Sequence, residues 1–185
     1  LRAGEITFYN LDGDEIEKEP KEIKWDAQAA EKAGFEHFMM KEIHEQPKAI
    51  KDTLGSVVKD GKIDLSNVGL AKEDIENISQ IHIVACGSAW HVGMVAQYVI
   101  EDLARIPVRV ELASEFRYRN PIIDKDALVI IISQSGETAD SLAALREAKS
   151  RGIKTIGIVN VVGSSIAREA DNVFYTLAGP ETVSY

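Results

Sequence analysis

Hydrophobic positions along the chain fall into two textures that change near Gln80. Beyond it, short β-branched runs alternate with stretches whose apolar residues recur at helical spacing. Ile81-His82-Ile83-Val84-Ala85-Cys86 reads as a strand. Val92, Val95, Ala96, Val99, Ile100 and Leu103 then keep the i, i+3, i+4, i+7 spacing of a helix with one apolar face. Val108-Arg109-Val110-Glu111-Leu112 is a second strand. The unbroken run Leu128-Val129-Ile130-Ile131-Ile132 has the texture of a strand covered on both faces, the expected centre of a parallel sheet. A helical pattern over 139–150 stops near Gly152, and strands follow over 155–159 and 173–177. Strands alternating with helices build right-handed βαβ units. The fold class expected is therefore α/β: a three-layer, doubly wound sheet of about five parallel strands.

The front of the chain is patterned differently. Residues 5–9 and 15–23 read as extended segments joined by the turn signal Asp12-Gly13-Asp14, so a small hairpin is expected. Phe35, Phe38, Met39, Ile43, Ile50 and Leu54 follow a near-helical spacing, and Pro47 is expected to end one linker helix and start the next. Gly55, Gly61 and Gly69 punctuate a polar stretch, 55–79, expected to run over the surface. These patterns divide the chain into 1–26, a helical linker over 27–79, and the α/β domain over 80–185.

Composition narrows the range of functions. With 185 residues, 45% of them hydrophobic, there is room for one ordinary domain and an appendage. No apolar stretch reaches the 18 or so residues of a membrane span, so no membrane role is expected. The opening Leu1-Arg2-Ala3-Gly4 leads into no apolar signal region, and the chain is expected to be a piece of something longer. One cysteine, Cys86, and no zinc-spaced Cys/His cluster fit a reducing, cytoplasmic setting without a metal or cofactor. The net charge of −9 argues against a nucleic-acid partner. That charge is uneven: residues 1–79 carry 11 Lys+Arg against 18 Asp+Glu, whereas residues 80–185 carry 10 against 12. The α/β part is thus open to an anionic ligand.

In doubly wound sheets ligands bind beyond the carboxyl ends of the strands. After the third strand of the α/β part comes Ser133-Gln134-Ser135-Gly136-Glu137-Thr138, three hydroxyls and an amide leading into a helix. Backbone N–H groups at a helix start lack partners and carry partial positive charge, and hydroxyls add donors without a formal cation. That is the chemistry of a phosphomonoester cradle, with Gly136 allowing a tight turn or close approach. The same residues also serve as plain helix caps, and spacing alone weighs the two roles evenly. Cys86-Gly87-Ser88-Ala89, after the first of these strands, is placed to touch the body of the same ligand.

Other candidates favour structural roles. Neither segment is a nucleotide motif, since G-x-G-x-x-G and G-x-x-x-x-G-K-[ST] are both missing. Cys86, at the end of an apolar strand, reads as an inert core thiol rather than a nucleophile. His82 and His91 read as structural, His91 lying nearer the ligand edge, and His37 and His44 belong to the front helices. Glu137 would repel a phosphate if it pointed inward, so it is expected to face solvent or cap a backbone donor rather than act as a base. Arg117 and Arg119 are expected at a solvated surface or an interface, although either could reach an anion.

The run Ser133 to Asp140, together with Glu111-Leu112-Ala113-Ser114-Glu115-Phe116-Arg117-Tyr118-Arg119 and Asn160-Val161-Val162-Gly163-Ser164-Ser165, resembles the first sugar isomerase (SIS) domain of the glucosamine-6-phosphate synthase family. These enzymes are also called glutamine–fructose-6-phosphate aminotransferases (isomerising). Phe35-Glu36-His37-Phe38-Met39-Met40-Lys41-Glu42-Ile43-His44-Glu45-Gln46-Pro47 resembles the family's interdomain linker, and residues 1–26 resemble the end of its glutaminase domain. The resemblance implies binding of fructose 6-phosphate or glucosamine 6-phosphate in amino-sugar biosynthesis. It assigns phosphate contacts to Ser133, Gln134, Ser135 and Thr138. Ser88 matches a family threonine that contacts the sugar, while Ala89 departs from the usual serine, and Thr182-Val183-Ser184-Tyr185 departs from the family's continuation. The glutaminase cysteine and the second SIS domain, with its glutamate, lysine and histidine, have no counterpart here. The resemblance therefore implies sugar-phosphate binding without turnover, no catalytic residue in this chain, and a homodimer. The alternatives are a stand-alone SIS module that senses a sugar phosphate, as in transcriptional regulators, and a domain that only dimerises through helix 91–104. The regulators carry a basic helix-turn-helix in front, whereas this front is acidic.

Overall fold

The computed structural model describes residues 6–18 and 31–181. Near the start, β1 (Phe8–Tyr9) and β2 (Glu15–Ile16) pair antiparallel, Phe8 opposite Ile16, across the Asp12-Gly13-Asp14 turn. Asn10 fastens this turn, its Oδ1 accepting the N–H groups of Asp12 and Asp14. The expected hairpin is thus present; residues 19–23 of the second extended segment, half of 1–26 and the departing residues 182–185 lie outside the described residues.

The linker corrects one expectation. A single helix, α1 (Phe38–Gly55), runs through Pro47 rather than breaking there. Proline removes the bond its own N–H would have made and crowds the carbonyl four residues back, but about two turns of good helix formers on either side hold the geometry against that cost. The stretch 55–79 is mostly exposed, as expected of a surface segment, and is built from short elements. It holds a hairpin of β3 (Val58–Lys59) and β4 (Lys62–Ile63), a 3-10 turn over Ser66–Val68, and the short α2 (Lys72–Glu76).

Five strands then form one all-parallel sheet: β5 (Gln80–Ala85), β6 (Val108–Leu112), β7 (Ala127–Ser133), β8 (Lys154–Val159) and β9 (Asn172–Tyr175), in the order β6-β5-β7-β8-β9. The apolar run read as the sheet centre is indeed the middle strand. Helix α3 (Gly87–Ala104) covers one face, and α4 (Ala113–Tyr118), α5 (Ala139–Ser150) and α6 (Ser165–Glu169) cover the other. The two short helices, α4 and α6, were not legible as helices in the sequence. The α5 face is the drier: Val84, Phe116, Val129, Ile131, Leu145 and Ile166 pack there with at most about 1% exposure. On the α3 face Ile81, Ile83, Val108 and Leu128 are buried, while Ile130, Ile132 and Ile158 are only partly covered. Gly93 brings α3 close to the sheet, since a Cβ there would meet Ile83 and Val110 at 2.9 Å.

Tertiary ties fix the linker to the far edge of the sheet. The Asn172 carboxamide donates to the Val68 and Gly69 carbonyls at 3.1 and 2.8 Å, and Lys154 pairs with Asp74. Among the described residues no helix is long and apolar enough to cross a membrane, and no group of three or more His, Cys, Asp or Glu is placed to hold a metal ion.

Candidate functional site

Strand order places the site. The chain goes from β5 through α3 to its neighbour β6 on one side, then returns through β7 and α5 to β8 on the other. Helices leaving β5 and β7 therefore lie on opposite faces, and a crevice opens between the carboxyl ends of these two strands. The register levels those ends: Ala85 lies opposite both Leu112 and Ile132, and Ser133 lies opposite Val159. Residues 133–138 and 86–88 thus emerge side by side at the same edge.

Local bonds shape the 133–138 loop. The Gly136 N–H donates to Ser133 Oγ at 3.1 Å, and the Glu137 N–H donates to Ser135 Oγ at 3.2 Å. Ser133 Oγ also lies 3.2 Å from Thr138 Oγ1. These bonds close the loop on itself and do not cap α5, so the plain capping role weighed from the sequence is not what these hydroxyls perform, and the loop remains able to bind. A hydroxyl that accepts an N–H keeps its own proton for a ligand oxygen. Helix α5 begins after Thr138 with no side chain capping its N-terminus, so the N–H groups of its first turn are open to an anion. Ser133 is nearly buried, Ser135 and Thr138 are half-buried, and Gln134 is exposed. Ser88, in the first turn of α3, stands exposed across the crevice from these four.

The connection after β8 clamps the loop from behind. The Gln134 carbonyl accepts the N–H groups of Asn160 and Val161 at 3.0 and 3.3 Å, and the Gly136 carbonyl accepts that of Ile166 at 3.0 Å. Glu137 does not point at the cradle: its Oε1 accepts the Ser165 N–H at 2.7 Å, which holds the carboxyl below its ordinary pKa. Gly136 sits at φ +65°, and a Cβ there would fall on the Ser164 side chain. Asp140, in the first turn of α5, would oppose an anion, but Arg117 pairs with it at 2.7 Å. Arg119 is engaged with Glu111, whose other oxygen lies 3.1 Å from His82 Nδ1 in the interior. Cys86 is partly buried beneath the crevice, with the Ser141 hydroxyl 3.8 Å away.

A cavity of about 230 Å³ adjoins the loop on its Gln134 side. The α/β domain contributes Gln134, Asn160, Ala178 and Gly179 to its lining, and α1 contributes Glu45, Gln46 and Ala49. The serines and Thr138 lie outside it, on the open surface alongside. Of the residues that line this cavity the sequence reading gave a site role only to Gln134, and it gave none to Asn160. The signal for Asn160 was its position at the carboxyl end of the fourth parallel strand, the same rule that found Ser133.

Residues 74–185 match the SIS domain family. The chain belongs to that family. Over 98% of its length this SIS-domain chain is 62% identical to the glutamine–fructose-6-phosphate aminotransferase [isomerizing] of Clostridium acetobutylicum, and 59% identical to that of Caldanaerobacter subterraneus subsp. tengcongensis. It spans about 30% of the length of either relative. Among solved structures it is similar to the C-terminal domain of glucosamine-fructose-6-phosphate aminotransferase from Francisella tularensis. The two share a TM-score of 0.77 and 45% identity, covering 82% of this chain and 42% of that one. The sugar isomerase domain of an RpiR transcription factor from Sphaerobacter thermophilus shares the fold at 22% identity and a TM-score of 0.58.

Proposed function

We propose that this chain is the first SIS domain, with its preceding linker, of an isomerising glutamine–fructose-6-phosphate aminotransferase, and that it binds the phosphate of fructose 6-phosphate or glucosamine 6-phosphate. The observation that carries the reading is the 133–138 loop opening onto the uncapped N-terminus of α5 at the crevice between β5 and β7. In it, Ser133, Ser135, Thr138 and the first-turn N–H groups of α5 surround the phosphate, Gln134 faces the adjoining cavity, and Ser88 meets the sugar from across the crevice. Arg117 neutralises Asp140, so the helix dipole acts on the anion without an opposing carboxylate. The high identity to the aminotransferases favours this reading over a stand-alone sensing module. None of the proton-transfer chemistry falls to these residues; in this reading the chain holds substrate for groups supplied elsewhere in the enzyme. A cytoplasmic setting without nucleic-acid binding accords with the single cysteine and the acidic balance, and the homodimer belongs to this reading through the symmetric packing usual among oligomers.

Thermal shift tests the reading. A ligand at 100 times its dissociation constant stabilises the folded state by ~2.7 kcal/mol, about 5–10 °C for a domain of this size. Fructose 6-phosphate is expected to raise Tm by that amount. A Ser133→Ala/Ser135→Ala variant with an intact circular-dichroism spectrum is expected to show no rise. A flat response of the unsubstituted chain at millimolar sugar phosphate would reject the assignment.

A further inference from the structure

Asn160 gathers more of the site than any residue of the 133–138 loop. It is 6% exposed, and its backbone N–H donates to the Gln134 carbonyl at 3.0 Å. Its carboxamide turns the other way, toward the segment that follows β9. Nδ2 donates to the Gly179 carbonyl at 2.6 Å, while Oδ1 accepts the Ala178 N–H at 2.8 Å and the Thr176 hydroxyl at 3.2 Å. Between the gripped residues lies Leu177, a non-glycine at φ +45°. A side chain in the left-handed region persists only where its surroundings hold it there. Before it, Thr176 is also held by its N–H to the Val159 carbonyl and by the Thr53 hydroxyl on its own carbonyl, but the Asn160 carboxamide is bonded on both sides of the strained residue. The segment so held supplies Ala178 and Gly179 to the cavity that Gln134 and Asn160 also line.

We propose that Asn160 is a specificity-determining positioning residue that fixes residues 176–179 as the outer wall of the sugar pocket beside the phosphate loop. This rests on the function proposed above. The carboxamide acts through the wall and not on the phosphate, because the loop is tied to Asn160 by the backbone N–H, which every substitution but proline retains. Sugar and phosphate recognition are thereby separable at this residue.

The test compares the unsubstituted chain with Asn160→Ala and Asn160→Asp at pH 8, titrated with fructose 6-phosphate and with inorganic phosphate, alongside amide hydrogen exchange. Asn160→Ala is expected to weaken fructose 6-phosphate binding at least tenfold, to leave inorganic phosphate within twofold, and to lose protection at the Ala178 N–H. Asn160→Asp keeps the acceptor for Ala178 and Thr176 but loses the donor to Gly179, and is expected to fall between the two with Ala178 still protected. Parallel weakening of both ligands would make the residue merely structural, and an Ala178 amide still protected in Asn160→Ala would remove the mechanism; either result overturns the proposal. If the unsubstituted chain prefers sugar phosphate and Asn160→Ala keeps that preference, the role of Asn160 fails while the function stands. If the unsubstituted chain binds neither ligand, the function fails and the role falls with it.

Discussion

At the scale of single residues, Gly136 shows how tightly the cradle is built. Its φ of +65° is open to glycine, and the space where a side chain would begin is filled by Ser164, whose Cβ would lie 2.6 Å from the added carbon. Ala at this position meets two penalties, the left-handed backbone at roughly 1–2 kcal/mol and overpacking at roughly 1–3 kcal/mol. Gly136→Ala is therefore expected to lose about 2–5 kcal/mol in chemical denaturation and to lose the thermal response to fructose 6-phosphate. Adding Ser164→Gly removes the clash but not the backbone strain, so part of the loss is expected to return. A Gly136→Ala chain as stable as its parent would show that the loop is not clamped against Ser164. The residues of the cradle were legible in the sequence because their chemistry is local: hydroxyls, a glycine and a helix start within six positions. Asn160 was not, because three of its four bonds reach residues 16 to 19 positions onward, across a strand pair that only the folded sheet brings together.

Elements were legible in proportion to their length and apolar periodicity. The five parallel strands and the helices α3 and α5 announce themselves, since β-branched runs and i, i+3, i+4 spacing leave few alternatives. Helices α4 and α6, of six and five residues, make too few turns to show a period, and tertiary contacts stabilise them: Phe116 and Ile166 are fully buried. Helix α1 fails for the opposite reason. The local signal at Pro47 is strong, yet the helix continues, and Met39, Ile43, Ile50 and Leu54 remain about half exposed along it. Its far end is anchored instead by the Thr53 hydroxyl, which donates to the Thr176 carbonyl. A proline inside a helix costs about 3 kcal/mol, and its stiffening of the unfolded chain returns up to ~1 kcal/mol. Pro47→Ala is thus expected to stabilise α1 by about 2 kcal/mol, seen as slower exchange of its amides and a larger far-UV helical signal. Unchanged exchange across 43–51 would mean that the proline bend is itself required by packing.

For the whole molecule, acid is expected to act through carboxylates that join elements distant in the chain. Asp171 links the start of β8 to the turn before β9, accepting the Thr155 N–H at 3.0 Å and its hydroxyl at 2.7 Å while pairing with Lys149 of α5. Burial pushes its carboxyl up, but Lys149 and Thr155 outweigh that, and it rests below its ordinary value. Glu111 behaves alike, burial being overcome by His82 and Arg119. Arg146 of α5 lowers Glu169, and Lys154 of β8 lowers Asp74 of α2. A carboxylate with a lowered folded pKa contributes stability that is complete above its unfolded value, about 4, and is lost as pH falls through the folded one. The melting temperature is therefore expected to stay level from pH 7 to about 5 and to drop below about pH 4. The exposed pairs weigh little individually because solvent screens them. Asp171 carries more, since its hydrogen bonds to Thr155 are partly buried and sit where two strands and α5 meet. Asp171→Asn is expected to lower Tm by a few degrees at pH 7, and its gap from the parent is expected to narrow as pH falls below about 4, where the unfolded carboxylate takes up its proton. A difference that persisted undiminished at pH 3 would mean that Asp171 acts by shape and not by charge.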